Sequence, residues 1–151
     1  MSYAIDILKA TRANINKSID GFTLDQLNHI PEGFNNNLMW HYGHIVITQQ
    51  LLCYKLAGLA TSASDELIAK YKKGSKPDGP ATQAEFDWLK AEMTNAIERL
   101  EADLAAGIFK NYKSYTTSYN MTLTSINEAV EFNNTHEAMH FGNILSMKKL
   151  V

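Results

Sequence analysis

Apolar residues in the first nineteen positions recur at helical spacing. Ile5, Leu8, Ile15 and Ile19 share one stripe of a helix predicted from Ser2 to Ile19. Gly21 stops it, Thr23 with Gln26 makes a short capping-box turn, and Pro31-Glu32-Gly33 breaks the chain. Asn35 to Asn37 offer caps for a second helix, from Leu38 to Ala57 with Gly58 at its exit. Its apolar positions (Leu38, Trp40, Ile45, Val46, Ile47, Leu51, Leu52, Tyr54, Leu56) cover most of the circumference, the pattern of a helix buried mid-bundle. Residues 60–81, rich in Ser, Gly, Pro and Lys, form one long connector with a short helix at Asp65 to Lys72. A connector of that length permits a crossover instead of a tight hairpin. A capping box at Thr82-Gln83-Ala84-Glu85 opens a third helix, striped by Phe86, Leu89, Met93, Ile97, Leu100 and Leu104 and ended by Gly107. Residues 108–122, with four aromatic residues, read as a loop or short extended piece over the bundle. A further capping box at Ser125-Ile126-Asn127-Glu128 starts a fourth helix that runs almost to the end. The pattern predicts an all-α four-helix bundle, one domain over residues 1–151. Its order is up-down-down-up, with the long crossover between the second and third helices.

Composition narrows the function classes. Hydrophobic residues make up 45% and charged residues 20%, which is ordinary for a folded globular chain and excludes disorder. The formal net charge is -2 and the basic residues are scattered, so no footprint for nucleic acid or an anionic membrane surface exists. The single cysteine, Cys53, excludes an internal disulfide and fits a reducing compartment. No apolar run is long enough to span a bilayer, and the N-terminus alternates apolar with charged positions, unlike a signal peptide. A soluble, cytoplasmic protein acting on a small molecule is expected.

The chemistry concentrates in the histidines. In His136-Glu137-Ala138-Met139-His140 the two imidazoles lie four residues apart on one helix face, so both can reach one metal ion. Ala129, Asn133, His136, His140, Ile144 and Met147 share that face, where a core should be. On the second helix Trp40, His44, Ile47 and Leu51 likewise point inward. His44 lies about 10 Å from the start of its helix, and His140 and His136 roughly 15 and 20 Å from the end of theirs. Antiparallel second and fourth helices would bring these levels together. The adjacent Gly43 and Gly142 let helices approach or leave room for a ligand. His41 reads as an exposed or supporting residue, His29 as a surface one, and Cys53, about 13 Å along the helix from His44, as packed core. Glu137, offset about 100° from His136, either lines the cavity as a general base or faces solvent.

The segments Asn36-Asn37-Leu38-Met39-Trp40-His41-Tyr42-Gly43-His44-Ile45 and His136-Glu137-Ala138-Met139-His140-Phe141-Gly142-Asn143-Ile144 resemble the signature regions of the DinB-like (DinB/YfiT) metalloenzymes. The resemblance extends over nearly the whole chain, including the helix order and the long second link. It implies a four-helix bundle with a three-histidine site, one ligand from the second helix and two from the fourth. Matched position by position, the ligands are His44, His136 and His140, and His41 is not among them. It further implies a divalent metal such as zinc or nickel, a low-molecular-weight thiol cosubstrate, a thiol-dependent S-transferase or isomerase reaction, and a homodimer.

Rival readings of the histidine string fare worse. The longer zinc-protease motif needs Gly at 143 and His at 146, where Asn143 and Ser146 stand, and no His, Asp or Glu follows His140. A di-iron bundle needs two Glu-x-x-His pairs, and only Glu137 with His140 supplies one. The alternative from another class is a non-enzymatic, stress-associated module for metal binding or dimerisation.

Overall fold

The computed structural model describes residues 2–151. Four long helices, α1 (Ser2–Ile19), α3 (Leu38–Cys53), α5 (Gln83–Ala106) and α6 (Ile126–Met147), make the bundle. Two short helices, α2 (Leu24–Asn28) and α4 (Asp65–Tyr71), and a hairpin of β1 (Tyr115–Thr116) with β2 (Thr122–Leu123) complete it. Among the described residues no helix is long and apolar enough to cross a membrane.

Cross-helix bonds give the direction of every neighbour. Asn134 reaches the Ala4 carbonyl and Lys148 that of Ser18, so α1 and α6 run parallel. Lys9 bonds Glu101 while Arg12 bonds the carbonyls of Glu92 and Met93, which sets α1 and α5 antiparallel. Gln49 meets Ala96 and Tyr54 meets Asp103, so α3 and α5 are parallel. His41 meets His140 and His44 meets His136, so α3 and α6 are antiparallel. The order is therefore up-down-down-up, and the link from Tyr54 to Thr82 is the crossover that two parallel helices require.

The caps follow local chemistry. Asn37 accepts from the Trp40 amide at 2.8 Å and starts α3, and Thr23 and Gln26 form a full reciprocal capping box that opens α2. At α5 and α6 only half of the expected box forms. Thr82 and Ser125 each accept an amide, but Glu85 turns to Lys70 and Tyr71, and Glu128 reaches back to Thr124. These acids thus pin the crossover and the hairpin end. The second helix also ends earlier than its pattern predicts: α3 stops at Cys53, and Lys55–Ala57 tightens into a 3-10 turn before Gly58, at φ 75°, closes it.

α3 is enclosed on nearly all sides; only Thr48 and Leu51 are half-buried. Two apolar clusters divide the core. One gathers Leu38, Met39, Ile45, Leu89 and Met147, and the other Ile5, Leu8, Leu52, Leu100 and Val130. At the second cluster's end the hairpin and the chain before it lie over the bundle, with Tyr112 donating to the Leu52 carbonyl and Tyr119 edge-on to Phe132.

Candidate metal centre

The α3 and α6 faces that meet carry His41 and His44 on one side, His136 and His140 on the other. One ring nitrogen each from His44, His136 and His140 lies within 4.8 Å of the others, and His41 stands outside this set. His44 and His140 are buried and His136 is half-buried. Nε2 of His44 faces Nε2 of His136 at 3.1 Å. Two nitrogens on a tetrahedral ion at ordinary zinc–imidazole distances stand about 3.4 Å apart. The His44–His136 pair is already near that chord, and the third ring offers a nitrogen within 4.8 Å of both. The donor set is three imidazoles with no carboxylate, a combination suited to zinc, nickel, iron or copper.

Surrounding groups fix the first ligand. His44 Nδ1 lies 2.6 Å from the carbonyl oxygen of Tyr71, at the end of α4. A carbonyl only accepts, so Nδ1 carries the proton and Nε2 presents its lone pair to the site. Trp40 stacks on the same ring, 4.5 Å away and 12° from parallel, and its indole N–H donates to Ser75. Gly43 makes this arrangement possible. A Cβ there would stand 2.5 Å from the Tyr71 ring, so only glycine lets α4 seat close enough for its last carbonyl to meet His44. Gly142 has open space around it and serves no such approach.

Burial keeps all these imidazoles neutral. Desolvation, reinforced by neighbouring imidazoles, pushes His41 down to about 4, His136 to about 3 and His140 to about 2. His44 is lowered by burial as well, against the opposing pull of the Tyr71 carbonyl. Neutral imidazole is the form that ligates a metal. Nδ1 of His136 is buried and makes no hydrogen bond among the described residues, and Asn133 Oδ1, one turn earlier, is equally unpaired.

A scan against family models matches residues 7–144 to the DinB superfamily. The chain belongs to the DinB superfamily. No curated protein matches it by sequence. A DinB bundle with three histidines, two buried and one half-buried, converging from two helices is a metal-binding fold, and that much of the expected function stands.

The other predicted residues take different places. Glu137 is fully buried and turned toward α1, not toward the histidines. Arg12 donates to its two oxygens at 2.7 and 3.0 Å, and Asn133 adds a bond at 2.8 Å. The remaining N–H groups of Arg12 go to the carbonyls of Glu92 and Met93 and to Gln49. Of the two positions open to Glu137, the solvent-facing one is excluded by its complete burial. His41 is not exposed: it is buried, with Nδ1 2.8 Å from Nδ1 of His140. His29 is exposed, as its turn position implies. Cys53 is packed core, its thiol pushed up to about 12 by burial. The tyrosine-bearing hairpin reaches α6 beside the site, where the Tyr119 hydroxyl touches Met139.

Sequence reasoning missed Arg12 and Tyr71. Arg12 had a signal, because it occupies the gap in the Ile5, Leu8, Ile15, Ile19 stripe, a charge on a core face that requires a buried partner. Tyr71 acts through its backbone carbonyl, which no side-chain pattern reports.

Proposed function

We propose that this DinB bundle is a metal-dependent enzyme, a thiol-dependent S-transferase or isomerase that acts on a small molecule. His44, His136 and His140 would hold one divalent ion, with zinc or nickel the proposed metals among the zinc, nickel, iron and copper that imidazole donors suit. The observation that carries the reading is the convergence of three neutral imidazoles with no fourth His, Cys, Asp or Glu in the cluster among the described residues, which leaves a coordination position for an exogenous group. Bound there, the ion would supply Lewis acidity, lowering the pKa of a low-molecular-weight thiol so that its thiolate can attack an electrophilic substrate. The chain's own residues orient and dry the site. Tyr71 fixes His44, Trp40 forms a wall against it, and the buried α3 surface excludes water.

Glu137 was the sequence candidate for proton transfer. Its pairing with Arg12 favours a positioning role, in which the anchored carboxylate sets the rotation of α6 and thereby the aim of His136 and His140. Cytoplasmic residence and a homodimer are part of the same proposal, resting on the lone cysteine and on the family resemblance. The rival is a metal-holding structural module, and an open, exchangeable coordination position separates the two.

The test pairs two measurements on protein purified without affinity metals. Elemental analysis should give about one divalent ion per chain. A thiol-transfer assay with small electrophiles should give turnover that disappears with the metal in His44→Ala. One ion with no turnover on any thiol and acceptor pair supports the module. Metal content unchanged in both His44→Ala and His136→Ala overturns the site itself.

A further inference from the structure

We propose that His41 is a positioning residue that presents His140 to the metal in its ligating tautomer. The inference rests on the three-histidine reading above and adds a fourth histidine with a different task.

Nδ1 of His41 and Nδ1 of His140 stand 2.8 Å apart, and the two residues are 4% and 6% exposed. At that distance, between neutral rings, one proton lies between the two nitrogens. There are two ways to place it. If His41 donates, His140 accepts at Nδ1 and must carry its own proton on Nε2. Because His41 occupies Nδ1, Nε2 is the nitrogen left for the ion, and with a proton there it has no lone pair to give. If His140 donates, its Nε2 is a bare lone pair and His41 carries its proton on Nε2. Only the second arrangement binds a metal.

The contact therefore works as a selector. It mirrors the contact of Tyr71 with His44, where a backbone carbonyl takes the Nδ1 proton. In both cases a buried acceptor holds the ring's far N–H and so sets its orientation and raises its basicity toward the ion. His41 is itself held edge-on to Trp40, 5.5 Å away at 82°. One helix, α3, thus provides a ligand (His44) and, one turn earlier, the acceptor that orients a ligand on α6. His136 has no acceptor of this kind among the described residues, so His44 and His140 form the oriented pair of the site.

The experiment uses the full chain with zinc or cobalt(II) alone as probe, and measures Kd by competition with a chromogenic chelator. His41→Leu removes the acceptor and should weaken binding by roughly 10- to 100-fold. His41→Gln offers an amide oxygen that still accepts, and should recover most of the loss. The visible bands of the cobalt form should shift in His41→Leu and return toward wild type in His41→Gln. Unfolding midpoints of the metal-free proteins verify that both fold, and His41→Met replaces His41→Leu if leucine does not. Wild-type affinity in the apolar variant, or equal loss in both variants, overturns the proposal. In the zinc-loaded wild type, 15N shifts should report a protonated Nδ1 and a metal-bound Nε2 for His140, and the reverse would overturn it too. A wild type that binds no metal defeats the three-histidine reading instead.

Discussion

Arg12 holds Glu137 by two of its nitrogens in the middle of the bundle, and both residues are 2% exposed or less. The pair joins α1 to α6, and through Gln49 and the α5 carbonyls it touches all four long helices. Its desolvation cost offsets much of its Coulombic gain, so its main effect is on which arrangement forms. Removal of one partner is different, because it strands a buried charge. Arg12→Met or Glu137→Leu should each destabilise the chain by about 3–5 kcal/mol. The double variant should be less damaging than the sum of the two. Urea unfolding of the three variants checks this, and additive losses would mean that the ion pair does not couple the helices.

The two glycines beside the histidines should respond in opposite directions. Gly43→Ala drives a methyl into the Tyr71 ring and moves α4, so it should lower stability and, by displacing the Tyr71 carbonyl, weaken metal binding. Gly142→Ala meets no atom on a helix exterior and should stabilise by about 0.5–1 kcal/mol. Melting temperatures of both variants, with and without zinc, decide the matter. A stabilising Gly43→Ala would contradict the close approach.

Stability of the metal-free protein should fall with acidity. In the unfolded chain each imidazole takes a proton near pH ~6.5. In the fold His41, His136 and His140 do so only at about 4, 3 and 2, because burial disfavours the charged ring. Between those limits the unfolded state binds more protons, so stability rises with pH there and is lost as pH drops. The urea midpoint should decline steadily from pH ~6.5 toward ~4, and in the zinc form metal release should coincide with loss of helix. A midpoint that stays flat across this range would show that the rings are not shielded.

Cys53 should be silent in the native protein. Its thiol is fully buried, and burial pushes it up to about 12, so almost no thiolate exists near neutrality. A disulfide reagent should label it only on the time course of unfolding, and fast native labelling would contradict the packing.

The helix order, the crossover and the histidine trio were legible because each rests on periodicity or spacing that the chain carries locally. His136 and His140 are one turn apart by arithmetic, and the all-round apolar pattern of α3 foretold its enclosure. The roles of His41 and Glu137 were not legible. His41 shares a face with His44, one turn away, and Glu137 sits one face over from the α6 histidines, but in each case the environment depends on the neighbouring helix: α6 for His41, α1 for Glu137. A sequence fixes angular position on a helix, but the partner across the gap is a tertiary fact. The half-formed caps at Glu85 and Glu128 make the same point, since Tyr71, Lys70 and Thr124 compete for those carboxylates.

The crossover is not uniform in its tolerance of change. Between His44 and Tyr71 the chain leaves α3 and returns to place one carbonyl against that histidine. An insertion between Gly58 and Ala63 would therefore have to be absorbed without moving Tyr71, while Ser62 is also tied to Gln50 and Glu92. Past Ser75, which still holds the Trp40 indole, the constraint relaxes, and Asp78 and Gly79 lie exposed before Asn28 takes hold of Ala81. An epitope or fluorophore tag spliced at Asp78–Gly79 should leave metal affinity intact. The same tag at Leu59–Ala60 should not, so the protein has one loop fit for labelling and one that must keep its length.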